Sequence, residues 1–229
     1  MPLPGPPVQS PFCHASSRLR CRAGLDSALA APFKPERGEI MTPLALTPPA
    51  IEPASLAEAK DFLRIVADDE DELLGTLITA ARLMIEAASG RLLIEQGWRI
   101  VLDAWPQCSE IRLPLSPVLS LTAARVHPVS GPAEPIMPAS LVLVAGSDPP
   151  LIAIAGPVPV PGRARAAIEI DLAAGFGATR DTVPAPLRQA VLRLACRWFE
   201  HRGDVVSRDA VRLPAEIAAL VAPFRRVRL

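Results

Sequence analysis

Four groups of residues in this chain have types and spacings that could do chemistry. Asp68-Asp69-Glu70-Asp71-Glu72 gathers five carboxylates, the ligands that divalent cations prefer. Calcium loops also need a glycine and a regular spacing of oxygens, and this run has neither. The expectation is therefore that Asp68 or Asp69 caps the helix that follows, while the other acids favour its positive end. Cys13, His14 and Cys21 are metal-ligand types, but three ligands on a proline-rich arm make a poor zinc site, and disorder is expected there. Cys196 and His201 lie five positions apart on one helical stretch, which rotates them about 140° from each other, so they do not form a nucleophile–base pair. Gly175-Phe176-Gly177 follows a strand and precedes a helix, yet it lacks the third glycine and the parallel strands of a dinucleotide turn. There is no G-x-S-x-G elbow, no P-loop and no H-E-x-x-H pair. The expectation is a protein that is not an enzyme and that uses no cofactor and no metal.

The composition narrows the class further. The formal charge is zero, with 24 basic and 24 acidic residues, so no global field advertises a nucleic-acid or membrane partner. Tyrosine is absent, and 27 prolines fall largely between apolar runs, which predicts short strands and ordered turns. The four cysteines have no regular spacing, and a reduced, buried Cys196 is expected. No apolar run is long enough to span a bilayer, and a soluble protein, intracellular at synthesis, is expected.

The elements that must position these residues are organised around 174–203. Leu187, Ala190, Val191, Leu194, Ala195, Trp198 and Phe199 repeat on one helical face, with Pro184 or Pro186 in the first turn and Gly203 as the stop. Residues 1–50 read as a proline-rich, disordered arm, in which Met41 offers an alternative start. Ser55 and Glu58 form a capping box, opening a helix with Leu56, Ala59, Phe62, Leu63 and Val66 on one face. A longer helix over about 70–89 follows, ended by Gly90, so that 51–95 forms a helical hairpin.

Beyond Gly97 the period changes to alternation. Trp98, Ile100 and Leu102 mark one strand; Ile111, Leu113 and Leu115 mark an edge strand; and Val118–Val126 is a third. A loop with a solvent-exposed His127, a hairpin over 141–156 and a strand through Ile168, Ile170 and Leu172 complete the region. The expected fold is α+β: a helical bundle (the hairpin plus the central helix, 174–203) with a small antiparallel β region (96–173) inserted and a tail (204–229). In that tail, Ile217, Leu220, Val221 and Phe224 form a stripe too short to be stable alone, so it needs a groove, on its own subunit or on another molecule. Arg225, Arg226 and Arg228 follow Pro223 and could pair with carboxylates of a partner.

In their order, SLAEAKDFLRI, DDEDELL, ITAARLMIEAASGRLLIEQGWRIVLDAWP, IRLPLSPVLSL, IEIDLAAGFG, VPAPLRQAVLRLACRWFEHRGD and LPAEIAALVAPFRRVRL resemble the head–tail connector (adaptor) proteins of long-tailed phages and phage-like gene transfer agents. The resemblance covers about 52–229, with Phe176 standing where the family commonly has tyrosine. It implies a structural protein of a virion or phage-like particle, made in the bacterial cytoplasm. It further implies a homo-oligomeric ring, usually a dodecamer, with the portal protein on one side and stopper or tail proteins on the other. DNA would pass through the lumen, without sequence-specific binding and with no membrane involved; a neutral ring would not grip it by phosphate neutralisation. The family's use of its C-terminal end to hold the portal makes Ile217, Leu220, Val221, Phe224, Arg225, Arg226, Arg228 and Leu229 the expected partner-binding residues. Two other classes stand beside it: a DNA-binding helical module using the arginines of the central helix, and an enzyme of unrecognised fold.

Overall fold

Ser55 starts the first helix by the reciprocal bonds that its spacing from Glu58 predicts. The Glu58 amide donates to Ser55 Oγ at 3.1 Å, and the Ser55 amide donates to Glu58 Oε2 at 2.7 Å. In this computed structural model, which describes residues 41–201 and 213–226, helix α1 (Leu56–Leu63) is shorter than its apolar spacing suggests. Arg64 takes a left-handed conformation (φ 58°) that stops the helix, and Val66, expected on its apolar face, is 94% exposed. Helix α2 (Asp71–Ser89) ends at Gly90, whose φ of 70° favours a residue without a side chain.

The acidic run between these helices departs from its expected role. Glu70, not Asp68 or Asp69, occupies the N-cap of α2, and its side chain makes no capping bond. Asp68 and Asp71 instead pair with Lys60 at the end of α1, the second at 2.8 Å. The acids close the hairpin turn by charge rather than by capping.

Helix α3 (Ala185–Glu200) has Pro184 at its N-cap and Pro186 in the first turn. Leu187, Ala190, Val191, Leu194 and Ala195 are buried in a core shared with Leu74, Ile78 and Ile85 of α2 and Ala59 of α1. Trp198, expected at the centre of that core, lies only partly buried against it, while its neighbour Phe199 is buried. The stop expected at Gly203 and the linker 203–212 lie outside the described residues, as do the expected arm over 1–40 and Arg228 and Leu229. Helix α4 (Ala215–Val221) packs against α3, and a 3₁₀ turn (Ala222–Phe224) follows it.

The β region is larger than expected and begins earlier. Residues 41–47, assigned from sequence to the arm, form strand β1 (Met41–Thr47), which pairs antiparallel with β2 (Gln96–Leu102). The remaining strands are β3 (Glu110–Arg112), β4 (Val118–Val126), β5 (Glu134–Pro135), β6 (Leu141–Val144), β7 (Leu151–Ile154) and β8 (Ile168–Ala174). Among the described residues they make a five-stranded sheet in the order β1-β2-β8-β4-β5 and a three-stranded sheet in the order β3-β7-β6, and every pairing is antiparallel. Ile100, Ile168 and Ile170 of the large sheet meet Ile111, Ile152 and Leu141 of the small one in a second apolar core. The opposite side of the large sheet is polar. Arg99 bonds Asp171 (2.6 Å), Arg125 bonds Asp171 (2.7 Å), and His127 lies 3.1 Å from Glu169. His127 is thus engaged in this network rather than solvent-exposed as expected. The mixed α+β class is as expected, and β2–β8 fall between α2 and α3 in the chain, with β1 added ahead of α1.

Candidate assembly surfaces

Three places on the molecule gather polar or apolar groups beyond what the two cores need. The first is a charged cluster beneath α2. Arg82 donates from Nε to Glu52 (2.8 Å) and from Nη1 to Glu86 Oε2 (3.0 Å). Glu86 Oε1 accepts from the Leu93 amide (2.9 Å) and from Gln96 Nε2 (3.3 Å). Burial pushes the Glu86 carboxyl above its ordinary range, against the pull of the Leu93 amide and Arg82. The cluster ties the chain at 91–96 to the underside of α2 and so sets the angle between hairpin and sheet. It has partners for its charges, which makes it a brace rather than a reactive centre.

The second place is where the C-terminal segment lands. The Arg226 amide donates to Ser89 O (3.0 Å), and its guanidinium donates to Pro114 O (2.8 Å) and lies 3.6 Å from Asp148. Arg91 donates to Phe224 O (3.2 Å), Ser116 Oγ (2.6 Å) and Asp148 (2.6 Å). Arg91 and Asp148 were missed by sequence reasoning, since nothing local distinguishes them from other surface charges. The stripe expected to seek a partner is seated at home: Ile217 is 1% and Val221 0% exposed, and Leu220 and Phe224 pack partly buried on the same core. Of the eight expected partner-binding residues, the structure draws Ile217, Leu220, Val221, Phe224 and Arg226 together against their own subunit. Arg225 is left exposed. The groove that the stripe needs is supplied by α2 and α3.

The third place is largely apolar. Between Leu73 and Gly90 the only charged residues are Arg82 and Glu86, both buried, so the outer side of α2 shows Leu73, Thr76, Leu83, Met84 and Ala87. Beside it, Met41–Ile51 contains no charged residue at all. Between the two runs a cleft of about 500 Å³ is walled by Leu46, Pro48, Leu83 and Ala87, with Gln96, Trp98 and the internally paired Arg82, Glu86 and Arg91 also in its lining.

Among the described residues, no group of His, Cys, Asp and Glu could hold a metal ion, and no helix is long and apolar enough to cross a membrane. Cys196 is buried, and its thiol is pushed up to about 11 by desolvation, the opposite of an activated nucleophile.

The comparisons agree with the order of motifs. The family model of the phage gp6-like head–tail connector protein matches residues 53–114. A chain from the neck of an empty gene transfer agent particle, computed with C6 symmetry, is 31% identical, with a TM-score of 0.70 over 82% of this chain and 97% of that one. The chain belongs to the head–tail connector family. A chain from the virion of a native gene transfer agent particle matches this connector at 32% identity and TM-score 0.70, covering 82% of it and 96% of that chain. One from the neck of a native particle computed with C12 symmetry matches at 31% and 0.66, covering 83% and 97%. No curated protein sequence matches the connector significantly. The DNA-binding alternative finds no support in these matches. In α3, moreover, Arg188 is paired with Glu58 and Asp181, and Arg197 with Glu216.

Proposed function

We propose that this connector forms a ring, of twelve copies, below the portal of a phage-like particle, joining the DNA-filled head to the tail. The observation that carries the reading is the likeness, over more than four-fifths of the chain, to chains from particle necks solved with C6 and C12 symmetry. The portal binds one side of the ring, stopper or tail proteins bind the other, and DNA passes through the lumen. The chain acts by shape and not as an enzyme. Its zero formal charge suits a channel that must release DNA rather than hold it. Exposed Arg225, at the end of the seated C-terminal segment, is the side chain of that segment best placed to meet carboxylates of the portal.

The test is to image particles from cells producing them with and without this gene. Filled heads lacking tails in its absence, and a ring of this chain at the portal in its presence, are expected. Normal tailed particles without the chain would end the proposal.

A further inference from the structure

We infer that the largely apolar face made by β1 and the outer side of α2 is where the next copy of this chain sits; the inference rests on the ring reading above. Exposed edge strands normally carry charge to prevent pairing with other chains, and β1 does not. Its residues 42–47 are all exposed, its outer backbone edge has no neighbouring strand among the described residues, and within the strand its protection is limited to Pro43. Leu46 (47% exposed) and Leu83 (55%) both line the cleft, and Leu44, Leu73 and Met84 add exposed apolar side chains on the same two elements. An apolar face whose neighbouring charges are all paired internally suits a surface that is covered in the assembled state.

Apolar side chains on an inserting element would fill the space between Leu46 and Leu83. A second copy is the occupant because cyclic rings repeat one heterologous contact at every junction. Each subunit must therefore offer a permanently covered face. Portal and tail, by contrast, meet the ring at its two ends. Charge supports the same choice: the C-terminal segment carries exposed arginine, whereas the charged residues lining the β1–α2 cleft, Arg82, Glu86 and Arg91, are already paired within the subunit.

The experiment places a photo-crosslinking side chain, Leu83→p-benzoylphenylalanine, in the full chain inside assembled particles. Mass spectrometry of the irradiated product should find two copies of this chain joined at position 83. A product with the portal or a tail protein, or no product although the chain is in the neck, would overturn the inference and leave the connector reading intact. If the unsubstituted chain never enters particles, both fall. A second variant, Leu83→Glu, should enter particles at least tenfold less often while its thermal midpoint in isolation stays that of the parent. Incorporation at the parent level would also overturn the inference.

Discussion

Two glutamates show how a few ångströms of environment reverse the behaviour of one side chain. Glu58 accepts the Ser55 amide, which holds its carboxyl below the ordinary value, so its contribution is present at neutral pH and lost as pH falls. Ser55→Ala, which removes the Oγ that accepts the Glu58 amide, should cost about 1 kcal/mol near neutrality, as measured by urea unfolding. Burial acts the other way on Glu86. Its folded form holds the proton more tightly than the unfolded chain does, so this group's contribution is full below the ordinary value of 4.5 and declines as pH rises through the elevated one. Glu86→Gln should flatten that decline, visible as a smaller loss of stability between mildly acidic and neutral pH than in the parent. The buried thiol of Cys196 gives a third check. Peptide mapping after treatment with iodoacetamide should find Cys108 labelled in the native chain and Cys196 labelled only after unfolding.

Elements were legible where one local rule decided them. The capping box, the glycine stop at Gly90 and the seven-position stripe of α3 each rest on neighbours within a turn or two, and each stands where spacing puts it. Elements decided by distant partners were not legible. β1 reads as arm because MTPLALT has no alternation to betray it; only β2, some fifty residues later, makes it a strand. The acids at 68–72 failed similarly, because their role depends on Lys60 from the preceding helix. Trp198 drew attention by its size, but its position at the edge of the α3 stripe leaves it half-covered. The centre of the helical core is better represented by Leu194, which is 1% exposed. Leu194→Ala should cost about 2–5 kcal/mol by thermal or urea unfolding, whereas Arg193→Ala, on the wet side of the same turn, should stay within about 0.5 kcal/mol.

At the scale of the molecule, the helical core and the sheet core are joined by few connections, and the C-terminal segment is one of them. Gly175-Phe176-Gly177 is another: the Phe176 amide donates to Leu93 O at 3.1 Å, and a side chain at Gly175 would meet Ile94 O at 2.5 Å. The sequence made the tail look detachable, because a seven-residue helix behind a polar stretch has no local reason to stay. Its reason is tertiary. Ile217 and Val221 complete the helical core, and the segment beyond them bridges the end of α2 to Pro114 and Asp148 beside the small sheet. Removing 214–229 would expose apolar area on α2 and α3 and leave Arg91 without Phe224 O. Each of the two buried side chains is worth about 1.5–3 kcal/mol, so their joint loss is a large part of the 5–15 kcal/mol that holds a typical domain together. The truncated chain should therefore melt well below the parent and aggregate on purification, rather than persist as a soluble subunit unable to join heads to tails. Arg225→Glu separates the two roles. It should leave the thermal midpoint unchanged, because Arg225 is exposed, while weakening capture of portal-bearing heads. A truncated chain with the parent's melting point would mean that α4 is only an appendage. An Arg225→Glu chain that captures heads at the parent level would place portal binding elsewhere on the ring.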